Sequence, residues 1–185
     1  GEAIDLRGSQ YRYLNADDDG TRWRLVGNNL GLDGRALWGE YGRQSRYRLN
    51  FGFETTPRLA SDSYQTPFLG GGTDRLTLPA GFERAATTAG MGTLAAQTRP
   101  FNVDSRRQRA EVGGIWWINS DWELRGSLRN DDREGTRIRG LVFGFDGGPL
   151  RSALLPEPVN SATQLIDASL VWNGEDQRVV FSYHG

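Results

Sequence analysis

Residues 46–54, RYRLNFGFE, alternate polar and apolar side chains at every position. Successive side chains of a β-strand point to opposite faces of its sheet, so this segment would have one apolar and one polar face. Tyr47, Leu49, Phe51 and Phe53 would share the apolar face. The alternation therefore predicts a strand between two environments. One of them is aqueous, and the other is either a second sheet or lipid.

The same two-residue period recurs along the chain and predicts about eight strands. Their expected ranges are 4–15, 21–29, 35–42, 46–55, 106–118, 121–135, 162–173 and 177–184. No long stretch has the 3.6-residue period of an amphipathic helix, and none approaches the roughly 18 consecutive apolar residues of a transmembrane helix. The expected fold class is all-β, an antiparallel up-and-down sheet.

The connections between these strands alternate in length. Tight turn sequences, DDDG, GRQS, NSD and NGED, follow the first, third, fifth and seventh strands. Long loops of about 56–105 and 136–161 follow the fourth and sixth strands. Alternate connections of an up-and-down sheet lie at the same end, and short turns at one rim with long loops at the other are typical of outer-membrane barrels. We therefore expect residues 1–185 to form a single β-barrel segment with two long rim loops.

Alternation alone is equally expected of a soluble β-sandwich, whose apolar face packs on a second sheet. Strand length and loop asymmetry favour the membrane barrel, because its strands need about 9–11 residues. Aromatic residues near the predicted strand ends resemble an interfacial girdle. They are Tyr47, Trp116, Trp122, Trp172 and Tyr183. The sandwich, as a soluble binding module, stays open as an alternative.

Composition argues against several kinds of site. The chain has no cysteine, one histidine and a net charge of -1, so thiolate metal sites, haem attachment and a strong pull toward nucleic acid are excluded. The turn NADDDG resembles a calcium loop, but its twelfth position is Val26 instead of a bidentate Glu. FLGGGTDR lacks the Lys of a phosphate-binding loop, and the arginines of DSRRQR indicate a solvated rim. We predict no enzymatic activity, no cofactor and no metal site.

Several linear motifs together resemble the MtrB/PioB family of outer-membrane β-barrels. In order they are NLGLD, GRQSRYR, TPFLGGG, LTLPAGF and LPEPV, and the likeness covers nearly the whole chain from about residue 10. The resemblance implies a large barrel that ensheaths a periplasmic decahaem c-type cytochrome, so that electrons cross the outer membrane. It also implies that the haem belongs to that partner, and that an extracellular multihaem cytochrome would dock at the loop rim. The alternative is a general or solute-specific porin, which would have the same kind of barrel but no cytochrome inside it.

Eight strands are few for that family, which leads us to expect an internal or truncated fragment. An eight-stranded barrel is filled by side chains and could not admit a cytochrome. In isolation we therefore expect a curved, open sheet with exposed edges at its first and last strands.

The barrel hypothesis assigns each alternating side chain to lipid or lumen. The expected lipid-facing residues are Tyr47, Leu49, Phe51, Phe53, Val112, Trp116, Leu124, Leu128, Leu170, Trp172, Phe181 and Tyr183. The expected lumen-facing residues, which would contact the cytochrome, are Arg46, Arg48, Asn50, Glu54, Arg107, Arg109, Glu111, Glu123, Arg125, Arg129, Asp167 and Arg178. Partner contact would then depend on arginines and carboxylates.

Overall fold

The computed structural model describes residues 2–12, 20–144 and 151–185, with the backbone alone at 9–12 and 143. Its strands are β1 Leu6–Arg12, β2 Thr21–Asn28, β3 Arg35–Arg43, β4 Tyr47–Ser61, β5 Gln65–Thr66, β6 Arg99–Pro100, β7 Val103–Trp117, β8 Trp122–Phe143, β9 Arg151–Asn173 and β10 Arg178–His184. A 3₁₀ turn at Thr88–Gly90 and the four-residue helix α1, Leu94–Gln97, complete the structure. No helix among the described residues is long and apolar enough to cross a membrane.

Eight strands form one sheet in the order β1-β2-β3-β4-β7-β8-β9-β10, and β5 and β6 form a separate pair. Each long strand therefore lies beside its neighbours in the chain, which confirms the predicted antiparallel up-and-down sheet. β1 and β10 stand at the two ends of this order, so the described part of the sheet has two edges.

The chain divides into two compact units. The first contains residues 1–56, 107–132 and 162–185. Its portions of the four longest strands are 47–56, 107–117, 122–132 and 162–173. Each of these portions is close in length to the roughly 9–11 residues with which a tilted strand crosses a bilayer.

The second unit contains residues 57–106 and 133–161. Its connecting segment is held to β9 by hydrogen bonds. The Tyr64 hydroxyl donates to the Leu154 carbonyl at 2.9 Å, and the Gly72 amide donates to the Pro156 carbonyl at 3.1 Å. Val103, at 1% exposure, is buried within this unit. The unit is thus a small folded body with its own buried centre.

One glycine in the second unit is required by its backbone. Gly135 has a φ of +135°, and a Cβ at this position would lie 2.4 Å from the Asp104 carbonyl oxygen. Only glycine reaches such a conformation at low cost, so this position holds β8 close beside the start of β7.

The predicted rim loop 136–161 is wrong, because β8 continues to Phe143 and β9 begins at Arg151. Pro156 and Pro158 lie within the part of β9 that was predicted as loop. β10 pairs with residues 167–173 of β9, so both prolines lie beyond that register. Proline is tolerated where no neighbouring strand needs its amide as a ladder donor. At Pro156 the Gly72 amide donates to the proline carbonyl instead.

The other predicted boundaries differ less. β4 extends to Ser61, and the connection predicted at 56–105 contains β5, α1 and β6. β1 ends at Arg12, while the end of the predicted first strand and most of the acidic turn NADDDG lie outside the described residues.

Candidate functional site

Register places the apolar side chains of the first unit on one face of the sheet. Residues that pair directly across antiparallel strands share a face. Tyr41 pairs with Leu49, and Trp23 pairs with Tyr41. At the other end of the sheet Leu170 pairs with Phe181. Tyr47 and Phe53 of β4, together with Trp172 and Tyr183 of β9 and β10, follow on this face by alternation.

Ring contacts continue this apolar face from β3 to β7. The Tyr41 and Tyr47 ring centroids are 6.0 Å apart, and those of Tyr47 and Trp116 are 5.9 Å apart. Val112 shares the face of Trp116 by alternation, as do Leu124 and Leu128 along β8. These aromatic residues lie at strand ends beside the tight turns, where a barrel carries its interfacial girdle.

Nothing within the first unit, as far as the structure describes it, covers this apolar face. The exposed fraction is 48% for Leu49, 57% for Trp116 and 62% for Phe181. Among the described residues of the first unit, Val171 is the one apolar side chain that is buried, and it lies on the opposite face. A soluble domain rarely exposes such a continuous apolar surface, which marks contact with lipid or another protein.

The opposite face carries the charged side chains. Glu40 pairs with Arg24 on one side and Asn50 on the other. Arg48 and Glu54 follow Asn50 on this face by alternation, and Arg178 lies there on β10.

Close approaches extend this polar face across β7, β8 and β9. A Cβ on Gly52 would meet Glu111, and one on Gly113 would meet both Asn50 and Ser127. The Ser127 hydroxyl in turn donates to Asp167 at 3.4 Å. Alternation along β8 adds three further residues to this face, Glu123, Arg125 and Arg129.

Arg46 differs from the prediction because it lies in the turn before β4. Its amide donates to the Arg43 carbonyl at 3.1 Å, and its carbonyl accepts from the Trp117 amide at 2.8 Å. Its backbone thus closes the β3–β4 turn and ties it to β7, which places Arg46 at the tight-turn rim.

At two places among the described residues, two arginines of one strand bind the same carboxylate on the adjacent strand. We call this arrangement a clasp. In the first unit Arg107 Nε donates to Asp131 Oδ1 at 2.7 Å, and Arg109 Nε approaches Asp131 Oδ2 at 3.4 Å. The two arginines are two residues apart on β7, so both project from the same face. Asp131 was missed by the sequence analysis, since the run RNDDRE shows no alternation that would identify it as the acceptor.

The second unit contains an equivalent clasp. Arg137 Nε donates to Glu157 Oε2, and Arg139 Nη1 donates to Glu157 Oε1, both at 3.0 Å. The Arg139 and Arg137 guanidinium groups hold the pKa of the Glu157 carboxyl below its usual range. Two cations around one carboxylate leave a net positive charge at each clasp.

Asp167 lies between Ser127 and His184, which resembles a hydrolytic triad only superficially. His184 Nδ1 lies 2.5 Å from Asp167 Oδ1, while the Ser127 hydroxyl contacts the other carboxylate oxygen. A nucleophilic serine must contact the histidine, with the aspartate behind it. The order here is serine, aspartate, histidine, so this group has no activated nucleophile. No group of three potential metal ligands occurs among the described residues.

Two tryptophans stand on the charged face, and the sequence analysis missed both. The Arg24 guanidinium carbon lies 5.6 Å from the Trp38 ring centroid, and that of Arg48 lies 5.9 Å from the Trp117 ring. Both distances are within the range of cation–π contact. The sequence could have placed Trp117 on the polar face. Trp116 and Trp117 are adjacent, so they must point to opposite faces of a strand.

A sheet with an uncovered apolar face, an arginine-rich polar face and bilayer-length strand portions defines the wall of a membrane β-barrel. A family model described as an outer membrane beta-barrel porin, MtrB/PioB, matches residues 5–185. The Outer membrane protein MtrB of Shewanella baltica (strain OS185) is 27% identical over 168 residues, covering 91% of this chain and 24% of that protein. The chain belongs to the MtrB/PioB family and is a bacterial outer-membrane protein.

This assignment removes the soluble β-sandwich alternative, which required a second sheet over the apolar face. The family is one of porin-like barrels and is not an enzyme family. The chain spans about a quarter of the length of the curated relative it matches.

Proposed function

We propose that this chain forms part of an outer-membrane barrel that ensheaths a periplasmic decahaem c-type cytochrome and lets electrons cross the membrane. The observation that carries the proposal is the division of one sheet into an uncovered apolar face and an arginine-rich face. A closed sheet satisfies its backbone in lipid, and its charged lumen would meet a protein surface. The barrel itself supplies no catalysis and no cofactor, because the haem belongs to the partner.

The two faces have separate roles in this proposal. Tyr47, Leu49, Phe51 and their neighbours on the apolar face contact lipid. The charged side chains, among them Arg48 and Asp167, line the lumen. Length and charge support this assignment, because apolar residues alternate with charged ones over strand portions of bilayer length.

The long connection after β4 lies at the extracellular rim in this proposal, and an outer multihaem cytochrome docks there. Support comes from connection length, since tight turns belong to the periplasmic side and longer connections to the extracellular side. The segment 62–98, between β4 and β6, is the longest connection among the described residues.

The test uses the full-length protein that contains this chain, which we call the full-length parent. The tagged parent is pulled down from detergent-solubilised outer membranes, and haem absorbance of the eluate is measured. We expect a stoichiometric c-type spectrum in the eluate. An unrelated tagged porin from the same cells is the matched control and should elute without haem. A haem-free parent from cells that express the cytochrome would overturn the proposal.

The family's description as a porin favours one second function, an open pore for ions or solutes. A charged lumen is also what a water-filled pore requires. Planar-bilayer conductance separates the two functions. The parent purified with its partner should conduct poorly if the lumen is occupied, whereas a porin would conduct under the same conditions.

A further inference from the structure

We propose that two arginine–tryptophan stacks on the polar face, Arg24 with Trp38 and Arg48 with Trp117, anchor a carboxylate-rich surface of the protein inside the barrel. This inference rests on the proposed function and specifies the chemistry of the partner's contact surface.

The two stacks lie on neighbouring strands of the first unit. Trp38 pairs with Gly52, so the partner strand presents no side chain against the indole at that position. Arg24 pairs with Glu40, two residues along β3 from Trp38. Both tryptophans are half-buried, which leaves part of each ring open on the polar face.

Among the described residues, these two arginines differ from their neighbours in lacking a carboxylate partner. Arg22 pairs with Glu40 at 3.1 Å, and Arg107 pairs with Asp131. By contrast, neither Arg24 nor Arg48 forms an ion pair with a carboxylate of the described residues, and the ring contact is what each makes instead. Two fixed positive charges are therefore presented from the polar face.

Stacking also prepares each guanidinium for binding. A guanidinium that lies over an aromatic ring keeps the N–H donors along its edge, and these match a carboxylate in a two-bond geometry. The ring limits the motion of the side chain, so less conformational freedom is lost when a partner binds. Tryptophan and arginine are the residues most enriched at the energetic centres of protein interfaces.

Charge complementarity identifies the occupant as an acidic protein surface. A neutral solute would gain nothing from the charge of these two guanidinium groups, and a basic surface would be repelled by it. The Asp131 clasp on the same face reinforces this preference, because it holds two arginines on one carboxylate. Aspartate and glutamate side chains of the enclosed protein are the expected ligands.

The test compares full-length parent barrels by the haem protein that each retains on purification. The double variant Arg24→Glu/Arg48→Glu should retain about tenfold less haem per barrel than the wild type, because opposed charges become like charges. Trp38→Ala/Trp117→Ala keeps the charge and should also lose retention, by several-fold. The control is Arg35→Glu, which makes the same type of charge change at the exposed first residue of β3, on the face opposite the stacks, and should retain haem normally.

Heat-modifiable migration on gels, measured for every variant, shows that each barrel is folded before its retention is compared. Should the glutamate double variant fail to fold, Arg24→Gln/Arg48→Gln replaces it, with the same expected direction. Haem retention that is unchanged in folded variants would overturn the proposed anchors while the wild type still binds its partner. A wild type that carries no haem protein would instead overturn the proposed function.

Discussion

At the scale of single residues, the same interaction occurs twice in the described part of this sheet: one carboxylate binds two arginines of the adjacent strand. All of the 22 basic residues are arginine, and a planar guanidinium can bind a carboxylate through two parallel hydrogen bonds where lysine offers a point charge. Such contacts are made side by side along β7 and β8, because residues two apart project from the same face. Each carboxylate therefore fixes the register of two strands.

Asp131→Asn should destabilise the barrel, because Arg107 and Arg109 lose the charge that both approach. Hydrogen bonds to charged groups contribute about 1.5–3 kcal/mol, and the loss should fall near the lower end because Arg107 is half exposed. Urea unfolding of the full-length parent, read by gel migration, measures the change. Asp74→Asn, at an exposed loop position, is the matched control. Equal midpoints for the two variants would contradict the role of Asp131.

The ion pairs of Glu157 should make the stability of the second unit depend on pH. The pKa of Glu157 is lowered in the folded protein by Arg139 and then Arg137. A carboxyl with a lowered pKa stabilises the fold above its unfolded pKa of about 4.3, and this contribution is lost as pH falls through the lower folded value.

The measurement is hydrogen exchange of residues 133–161 in the full-length parent, from pH 7 down to pH 3, corrected for intrinsic exchange rates. Protection from exchange should fall at the acid end of this range. Glu157→Gln should be less protected at pH 7 and should lack the additional acid loss. Parallel pH profiles for the variant and the wild type would contradict this account.

At the scale of strands, much of this structure could be predicted, because alternation is a local signal. All eight strands of the main sheet were expected in their correct order, and the segment from Tyr47 to Glu54 shows why. Every apolar residue there pairs with a residue of the same face on β3. Tight turns such as GRQS could be predicted for the same reason, since turn chemistry lies within a few residues.

Other strand features depend on distant residues and could not be predicted. Proline usually interrupts a strand, yet Pro156 is tolerated in β9 because β10 ends before reaching it. Asp131 is an acceptor only because the neighbouring strand β7 brings Arg107 within 2.7 Å of it. Trp38 joins the polar face through pairing with Gly52, in a segment whose own alternation is weak. Each of these outcomes is decided by the neighbouring strand.

The two faces of β4 predict different tolerance of charge. Phe51→Arg should cost about 2–4 kcal/mol if the residue lies near the bilayer midplane, while Asn50→Arg should be mild because its face already carries Arg48 and Glu40. The two positions are adjacent, so they form a matched pair within one strand. Unfolding of the full-length parent from lipid vesicles measures both costs. A larger cost at Asn50 would show that the faces are assigned the wrong way round.

Packing on the apolar face gives β3 and β4 a further constraint. A Cβ on Gly39 would lie 2.3 Å from two ring atoms of Phe51, so the ring lies directly on the glycine backbone. Gly39→Ala should therefore displace the Phe51 ring and destabilise the parent by about 1–3 kcal/mol. The double variant Gly39→Ala/Phe51→Leu should recover part of this loss, and the same vesicle unfolding assay detects it. Additive losses would contradict direct contact between the two residues.

At the scale of the whole molecule, the described sheet is a wall with two edges. Its order begins at β1 and ends at β10, and the chain matches about a quarter of its curated relative. An edge strand presents unpaired amides and carbonyls, and in a membrane these groups must be satisfied by a further strand. The wall therefore depends on neighbouring strands for closure, just as its apolar face depends on lipid.

This dependence predicts how the 185-residue polypeptide behaves when it is prepared alone in detergent. Its β1 and β10 edges should pair with the edges of other copies, which yields oligomers whose size rises with protein concentration. Light scattering during size-exclusion chromatography measures the mass of the protein component, and the full-length parent at equal concentration is the control. A stable monomer would mean that β1 pairs with β10 to close a narrow barrel. Side chains would fill such a barrel, and no protein partner could enter it.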